Sequence, residues 1–141
     1  MIEQLLPIHP KLVHFPIALF TTALILDILS RVFRREDLHK AAVVIYVAGA
    51  LFTPAVVWAG LWEQQRLNLH HPVLEQHKLY GFITMWSSLA SLPMLWFLKR
   101  TSFKFFRTAF TCLLLCMAIL VTATGYFGGR MVYEYGAGVQ N

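Results

Sequence analysis

The side chains most suited to chemistry in this 141-residue chain are its six histidines. Neutral imidazole is the commonest metal ligand of proteins and an axial ligand of haem, so histidines at one depth on neighbouring helices are candidates for a metal or haem site. Their spacing matches neither an H-E-x-x-H zinc motif nor a Glu-x-x-His di-iron pair. The pattern therefore indicates ligand chemistry but leaves the ligand open. The histidines are His9, His14, His39, His70, His71 and His77.

The first hypothesis is a haem b site with His14 and His77 as axial ligands, because these two lie at similar depth on different predicted helices. Small and polar neighbours would form the floor of the pocket and fix the imidazole tautomer. These neighbours are Gly81, Thr84, Glu63 and Tyr80. Such a protein would be an electron-transfer subunit that exchanges electrons with a quinol or a periplasmic cytochrome, beside a larger respiratory complex.

Two alternatives remain open. In one, copper or zinc binds from the outer side to His9, His14, His77 and Glu75. In the other, the chain is a cofactor-free accessory or assembly subunit whose small-residue faces pack against a larger membrane complex. The sequence contains no nucleophile triad, phosphate loop, dinucleotide fingerprint or nucleic-acid motif, so standalone catalysis is not predicted.

The elements that must position these side chains are predicted to be membrane-spanning helices. Hydrophobic residues make up 57% of the chain and charged residues only 13%, against about 25% charged in soluble domains. Four apolar stretches of about 18 to 23 residues could each cross a hydrocarbon core of about 30 Å, and they lack the alternation of barrel strands. The sequence thus predicts an all-α integral membrane four-helix bundle, with the single domain 1–141 spanning at about 12–33, 41–62, 77–98 and 105–128.

The basic residues predict how the chain is oriented in the membrane. Eight of the twelve lie in or beside the connections after the first and third spans, which the positive-inside rule assigns to the cytoplasm. Both termini and five of the six histidines would then face outward, and His39 would lie inside. The net charge of +5 is explained by this topology rather than by nucleic-acid binding.

Small and polar residues recur at helical spacing on three of the predicted spans. These faces are predicted to point into the bundle, where small residues allow close helix packing and would also admit a cofactor. The three stripes are His77, Gly81, Thr84, Ser88 and Ser91; Gly49, Thr53, Val56, Gly60 and Glu63; and Ala118, Thr122, Gly125, Gly129 and Tyr133.

Asp27 is the one carboxylate well inside a predicted span. Placing an aspartate at the centre of a bilayer costs about 2.5 to 3.5 kcal/mol on insertion scales, so its charge must be compensated. We interpret it as a structural residue that pairs with Lys40, His39 or a neighbouring helix. A proton-relay role is the alternative.

Two motifs resemble a known family. I-H-P-K-L-V-H-F-P-I-A-L at 8–19 and T-G-Y-F-G-G-R-M-V-Y at 124–133 are similar to the predicted membrane proteins grouped as domain of unknown function 2231. The resemblance implies a four-helix protein of a bacterial or archaeal inner membrane, in a redox setting, with the family's histidines at His9, His14 and His77. Similar sequences usually have a further histidine where this chain has Tyr135, so the resemblance implies a two-histidine rather than a four-histidine site.

Overall fold

The apolar runs of the sequence form long helices in the computed structural model, which describes residues 8–67, 70–98, 100 and 102–136. Within these residues the regular structure is entirely α-helical, so the predicted all-α fold is confirmed. The helices are α1 (Ile8–Leu12), α2 (His14–Val32), α3 (Glu36–Leu67), α4 (Pro72–Leu98) and α5 (Phe103–Tyr133). Lys99 and residues 137–141, which follow the C-terminal family motif, lie outside the described residues.

Local sequence signals set several of the helix ends. After α2, Arg34 adopts a left-handed φ of 53° and the amide of Arg35 donates to the carbonyl of Ser30 at 3.0 Å, which reverses the chain as in a helix C-terminal motif. Pro72 opens α4, the position where its missing amide hydrogen is not needed. The side chain of Ser102 accepts a hydrogen bond from the amide of Phe105 and so caps α5.

The four long helices form a bundle in which α2 and α4 each pack beside both α3 and α5. The connections alternate between the two ends. We call the end where α2 joins α3 and α4 joins α5 the basic end, and the opposite end, which carries α1, His77 and Tyr133, the histidine end. Along the bundle axis, side chains of the diagonal helices α3 and α5 meet, as Tyr46 and Phe110 do with ring centroids 5.7 Å apart.

The core is narrow, and many large apolar side chains point away from it. Phe20, Tyr46, Phe110 and Leu114 are completely buried, whereas Trp58 is 70% exposed. Apolar residues on the outside of a bundle are those that contact lipid in a membrane protein. Among the described residues, three segments are long and apolar enough to cross a membrane, namely Ile8–Val32, Glu36–Arg66 and Phe103–Tyr133.

The third predicted span, 77–98, lies within α4. This helix has 27 residues, which is the length that a crossing requires, but it is not among the three segments whose composition is apolar enough. It carries three of the buried polar residues of the bundle, Thr84, Ser88 and Ser91. Its crossing and the orientation of the termini stay predictions.

The predicted inward faces of α3 and α4 are buried or half-buried, but the prediction for α5 was wrong. Thr122, Gly125 and Tyr133 are exposed, Tyr133 at 90%. The inward face of α5 is set instead by large apolar residues at helical spacing, whose burial excludes more water than that of small ones. These residues are Phe110, Leu114, Met117 and Val121. The same face continues through Thr124 to Gly128, one residue before the predicted Gly129.

Candidate histidine pair and buried aspartate

Two histidines from different parts of the chain meet at the histidine end. The Nε2 atoms of His9 on α1 and His77 on α4 are 3.5 Å apart. The two imidazole rings lie edge to face, with centroids 5.8 Å apart and an interplanar angle of 82°. The contact joins residues 68 positions apart in the sequence, so only the folded bundle creates it.

Backbone carbonyls fix the tautomer of both rings. The Nδ1 atom of His9 lies 3.0 Å from the carbonyl oxygen of Val56 on α3, and that of His77 lies 2.9 Å from the carbonyl oxygen of Thr124 on α5. Because a carbonyl only accepts hydrogen bonds, each Nδ1 must carry the hydrogen that it donates. In the neutral rings each Nε2 atom therefore carries a lone pair, and the two lone pairs face each other.

A glycine supports each ring. A Cβ atom at Gly60 would lie 2.8 Å from Cε1 of His9, and a Cβ atom at Gly128 would lie 3.1 Å from Cε1 of His77. By contrast, a Cβ atom at Gly81 or Gly129 would meet nothing within 4 Å. Gly60 and Gly128 thus give the two imidazoles the room in which they approach each other.

A buried carboxylate lies beside the pair. Glu63 is only 8% exposed, and its Oε2 atom accepts a hydrogen bond from the backbone amide of His9 at 3.2 Å. A negative charge next to two imidazoles favours a cation between them. Thr84, whose Oγ1 atom is 3.4 Å from that of Thr124, completes the polar surroundings on the inner side.

Other predicted site residues lie elsewhere. His14 is exposed and its Nδ1 donates to the carbonyl of Pro10 at 2.7 Å, with no hydrogen bond or ring contact to His77 among the described residues. Glu75 is exposed and binds Lys78 at 3.0 Å. The ring of Tyr80 stacks on Phe127 with centroids 5.2 Å apart. The bundle therefore joins His77 to His9 and not to His14 or Glu75.

The pair offers two ligands to a metal ion. No group of three or more histidine, cysteine, aspartate or glutamate side chains in the described part of the chain is arranged to hold one. Two metal–nitrogen bonds of about 2 Å in line would place the nitrogens about 4 Å apart, so a spacing of 3.5 Å corresponds to a bent arrangement. An ion held in this way would keep its other coordination positions for water or an outside ligand.

The residue that departs from the family pattern also contacts a histidine. The ring of Tyr135 lies 4.0 Å from that of His71, measured between centroids. The guanidinium of Arg130 pairs with Glu134 at 2.7 Å. This hydrogen-bonded pairing holds the pKa of the exposed Glu134 carboxyl below its ordinary value. Tyr135 and His71 thus form a second aromatic contact near the same end.

A second polar cluster surrounds Asp27 near the basic end. The carboxylate is completely buried. His39 lies 2.7 Å from Oδ1, Thr111 donates to Oδ2 at 2.5 Å, and Nε of Arg31 lies 3.5 Å from Oδ2. The structure therefore pairs Asp27 with α3, with α5 and with its own helix, whereas Lys40 is exposed and takes no part.

Further hydrogen bonds extend this cluster. Nη2 of Arg107 donates to the hydroxyl of Ser30 at 2.7 Å, and the Ser30 hydroxyl donates to the carbonyl of Asp27 at 2.6 Å. Nη2 of Arg31 donates to the carbonyl of Arg107 at 2.7 Å. The network ties α2, α3 and α5 together at one level of the bundle.

The fold and this site define a helical, membrane-spanning protein with a half-buried histidine pair at one end and a buried aspartate near the other. The profile of the DUF2231 family, described as predicted membrane proteins, matches residues 5–141. The chain therefore belongs to the DUF2231 family. Neither a curated protein nor a solved structure matches it.

Proposed function

We propose that this chain is a membrane protein that binds a transition-metal ion, copper or zinc, between His9 and His77. The observation that carries the proposal is the opposed pair of Nε2 atoms at 3.5 Å, with both Nδ1 hydrogens donated to carbonyls. Two opposed lone pairs repel each other unless a cation lies between them. Metal-bound histidines typically donate their other ring hydrogen to a carbonyl or carboxylate, as both of these do.

The choice of copper or zinc follows from the donor set. Imidazole nitrogen suits zinc and copper, whereas calcium and magnesium prefer oxygen ligands. Glu63 adds a negative charge near the site but is not one of the two proposed ligands. Because only two protein nitrogens converge, the ion would be exchangeable, and the function we propose is metal binding and transfer at the membrane surface rather than permanent structural support.

Haem b, with electron transfer to a quinol or a cytochrome, is the second candidate. Each imidazole has the carbonyl-bound Nδ1 of an axial ligand. A haem would need both Nε2 atoms as its iron ligands, with the porphyrin ring in the space between the two imidazoles. The edge-to-face pair at 3.5 Å therefore favours a single ion over a haem.

The test is metal binding by the detergent-purified protein. Wild type is dialysed against copper or zinc, and bound metal is measured by elemental analysis beside an absorption spectrum. We expect about one ion per chain and no Soret band, with the ion lost in His9→Ala and in His77→Ala. The matched control is His14→Ala, which removes an exposed histidine of the same motif and should bind like wild type.

Other results would contradict the proposal in distinct ways. A Soret band lost in His77→Ala would establish haem instead. A colourless protein without metal, purified with partner proteins, would leave the accessory-subunit hypothesis. Loss of metal in all three variants equally would show that the metal binds at the surface and not between His9 and His77.

A further inference from the structure

Two buried nitrogen atoms near the basic end have no hydrogen-bond partner in the part of the chain that the structure describes. They are Nε2 of His39 and Nε of Arg107. Both side chains lie against the ring of Phe103, with the imidazole centroid 6.0 Å and the guanidinium carbon 5.5 Å from its centroid. An unsatisfied buried polar group costs about 1 to 3 kcal/mol, and more when it is charged. Two such atoms around one ring indicate a missing partner.

The charges of the cluster do not balance. One carboxylate, that of Asp27, lies in a network that contains two guanidiniums: Arg31 contacts the carboxylate, and Arg107 is joined to the Asp27 backbone carbonyl through the hydroxyl of Ser30. Asp27 lies within ion-pair distance of Arg31 and His39, and no carboxylate among the described residues lies within that distance of Arg107. Buried charges are normally paired. The cluster therefore has at least one positive charge that an anion could neutralise.

The two unpartnered atoms favour an anionic oxygen as that partner. Arginine is always protonated in proteins, so Nε of Arg107 can only donate. His39 uses Nδ1 toward Asp27, which leaves Nε2 as an acceptor in the neutral ring and a donor in the protonated ring. With the His39 ring protonated at both nitrogens, Nε2 of His39 and Nε of Arg107 would each donate to an oxygen of one anion.

The surface around Phe103 is apolar and open toward the outside of the bundle. Phe103 is 50% exposed, Phe105 58%, Val32 67% and Phe33 65%. Phosphate oxygens are preferred partners of arginine, and basic sites between membrane helices bind anionic lipid headgroups. We infer that the phosphate of an anionic phospholipid binds between Arg107 and His39 beside Phe103, with its acyl chains along these apolar residues.

The test is the binding of phosphatidylglycerol to the full chain, measured by native mass spectrometry with phosphatidylcholine as the uncharged reference lipid. We expect one tightly bound phosphatidylglycerol on wild type. Arg107→Gln should weaken it by about tenfold or more, because charge-assisted hydrogen bonds are lost. Since Arg107 also bonds Ser30 and the glutamine variant could misfold, Arg107→Lys is the second variant. It keeps the charge but has no Nε donor, and it too should lose the tight lipid.

Lys104→Gln is the matched control, because it removes one positive charge from an exposed position one turn away on the same helix. It should bind phosphatidylglycerol like wild type. Equal weakening in Lys104→Gln and Arg107→Lys would overturn the site in favour of general surface attraction. Unchanged binding in both Arg107 variants, or no retained lipid on wild type, would also overturn it. Displacement of the lipid by millimolar inorganic phosphate would show that the site takes a free anion instead.

Discussion

Both ends of the bundle place polar groups inside an apolar chain, but these groups find their partners in different ways. At the histidine end, backbone carbonyls of α3 and α5 take the ring hydrogens of His9 and His77, and two lone pairs are left facing each other. Near the basic end, Asp27 is surrounded by side-chain partners from three helices. In our proposal the first arrangement holds a cation, whereas the second joins α2, α3 and α5 through hydrogen bonds and an ion pair. Binding and stability are therefore expected to depend on different ends.

The largest expected effect is on stability and comes from Asp27→Ala. Removing the buried carboxylate leaves the buried His39 without its side-chain partner and the exposed Arg31 without its counter-charge, and breaking a buried ion pair typically costs about 3 to 5 kcal/mol. Thermal unfolding in detergent should show a clear loss of stability, while any chain that remains folded should still bind metal at His9 and His77. Asp37→Ala is the control, because its pair with Arg35 is exposed to solvent and contributes little to stability. Equal destabilisation by both changes would contradict the role of Asp27 in joining three helices.

Gly60→Ala should have the reverse effect, with metal binding lost and the fold largely kept. Its Cβ atom would lie 2.8 Å from Cε1 of His9, so the ring must move away from His77. Overpacking of this kind costs about 1 to 3 kcal/mol, which corresponds to a loss of about 5-fold to 150-fold in metal affinity. Gly81→Ala, where a Cβ atom meets nothing, should bind metal like wild type. Equal affinity in the two variants would count against the paired geometry.

A smaller effect on binding is expected from Gly128→Ala. Its Cβ atom would lie 3.1 Å from Cε1 of His77, a closeness that a shift of a few tenths of an ångström relieves. Metal affinity should fall by less than in Gly60→Ala, measured in the same titration. Gly129→Ala, its neighbour on α5, meets open space and serves as the control. A larger loss in Gly129→Ala than in Gly128→Ala would mean that α5 faces His77 differently.

The smallest effect is expected midway between the two ends. The hydroxyls of Tyr46 and Ser91 lie 2.6 Å apart in the buried core. Tyr46→Phe removes one of these partners, and Ser91 keeps its bond to the carbonyl of Ser88. A loss of about 1 kcal/mol in unfolding free energy is expected, read from thermal unfolding, with metal binding and lipid binding unchanged. A change in either binding reaction would show that the two ends are coupled through this contact.

The sequence was sufficient for the helices because apolar length and loop charge are local properties. It also indicated that Asp27 needs partners, and His39 was among the candidates. The choice of His14 over His9 depended on depth along a straight helix, and the break at Val13 between α1 and α2 changes what α1 can reach. The contacts of the Val56 and Thr124 carbonyls with the histidines could not be predicted, because every residue has a backbone carbonyl and the sequence does not mark these two. The inward face of α5 depends on how the helix is rotated, which the sequence did not fix, and its large apolar residues face inward instead of the small ones.

The most direct test of the central claim is X-ray absorption at the zinc edge of the zinc-loaded protein. Two imidazole ligands per zinc at about 2.0 Å are expected in wild type. Both should persist in His14→Ala, and His9→Ala and His77→Ala should lose them or bind no zinc. A zinc spectrum without imidazole scattering, or one unchanged in both His9→Ala and His77→Ala, would contradict the site between these two residues.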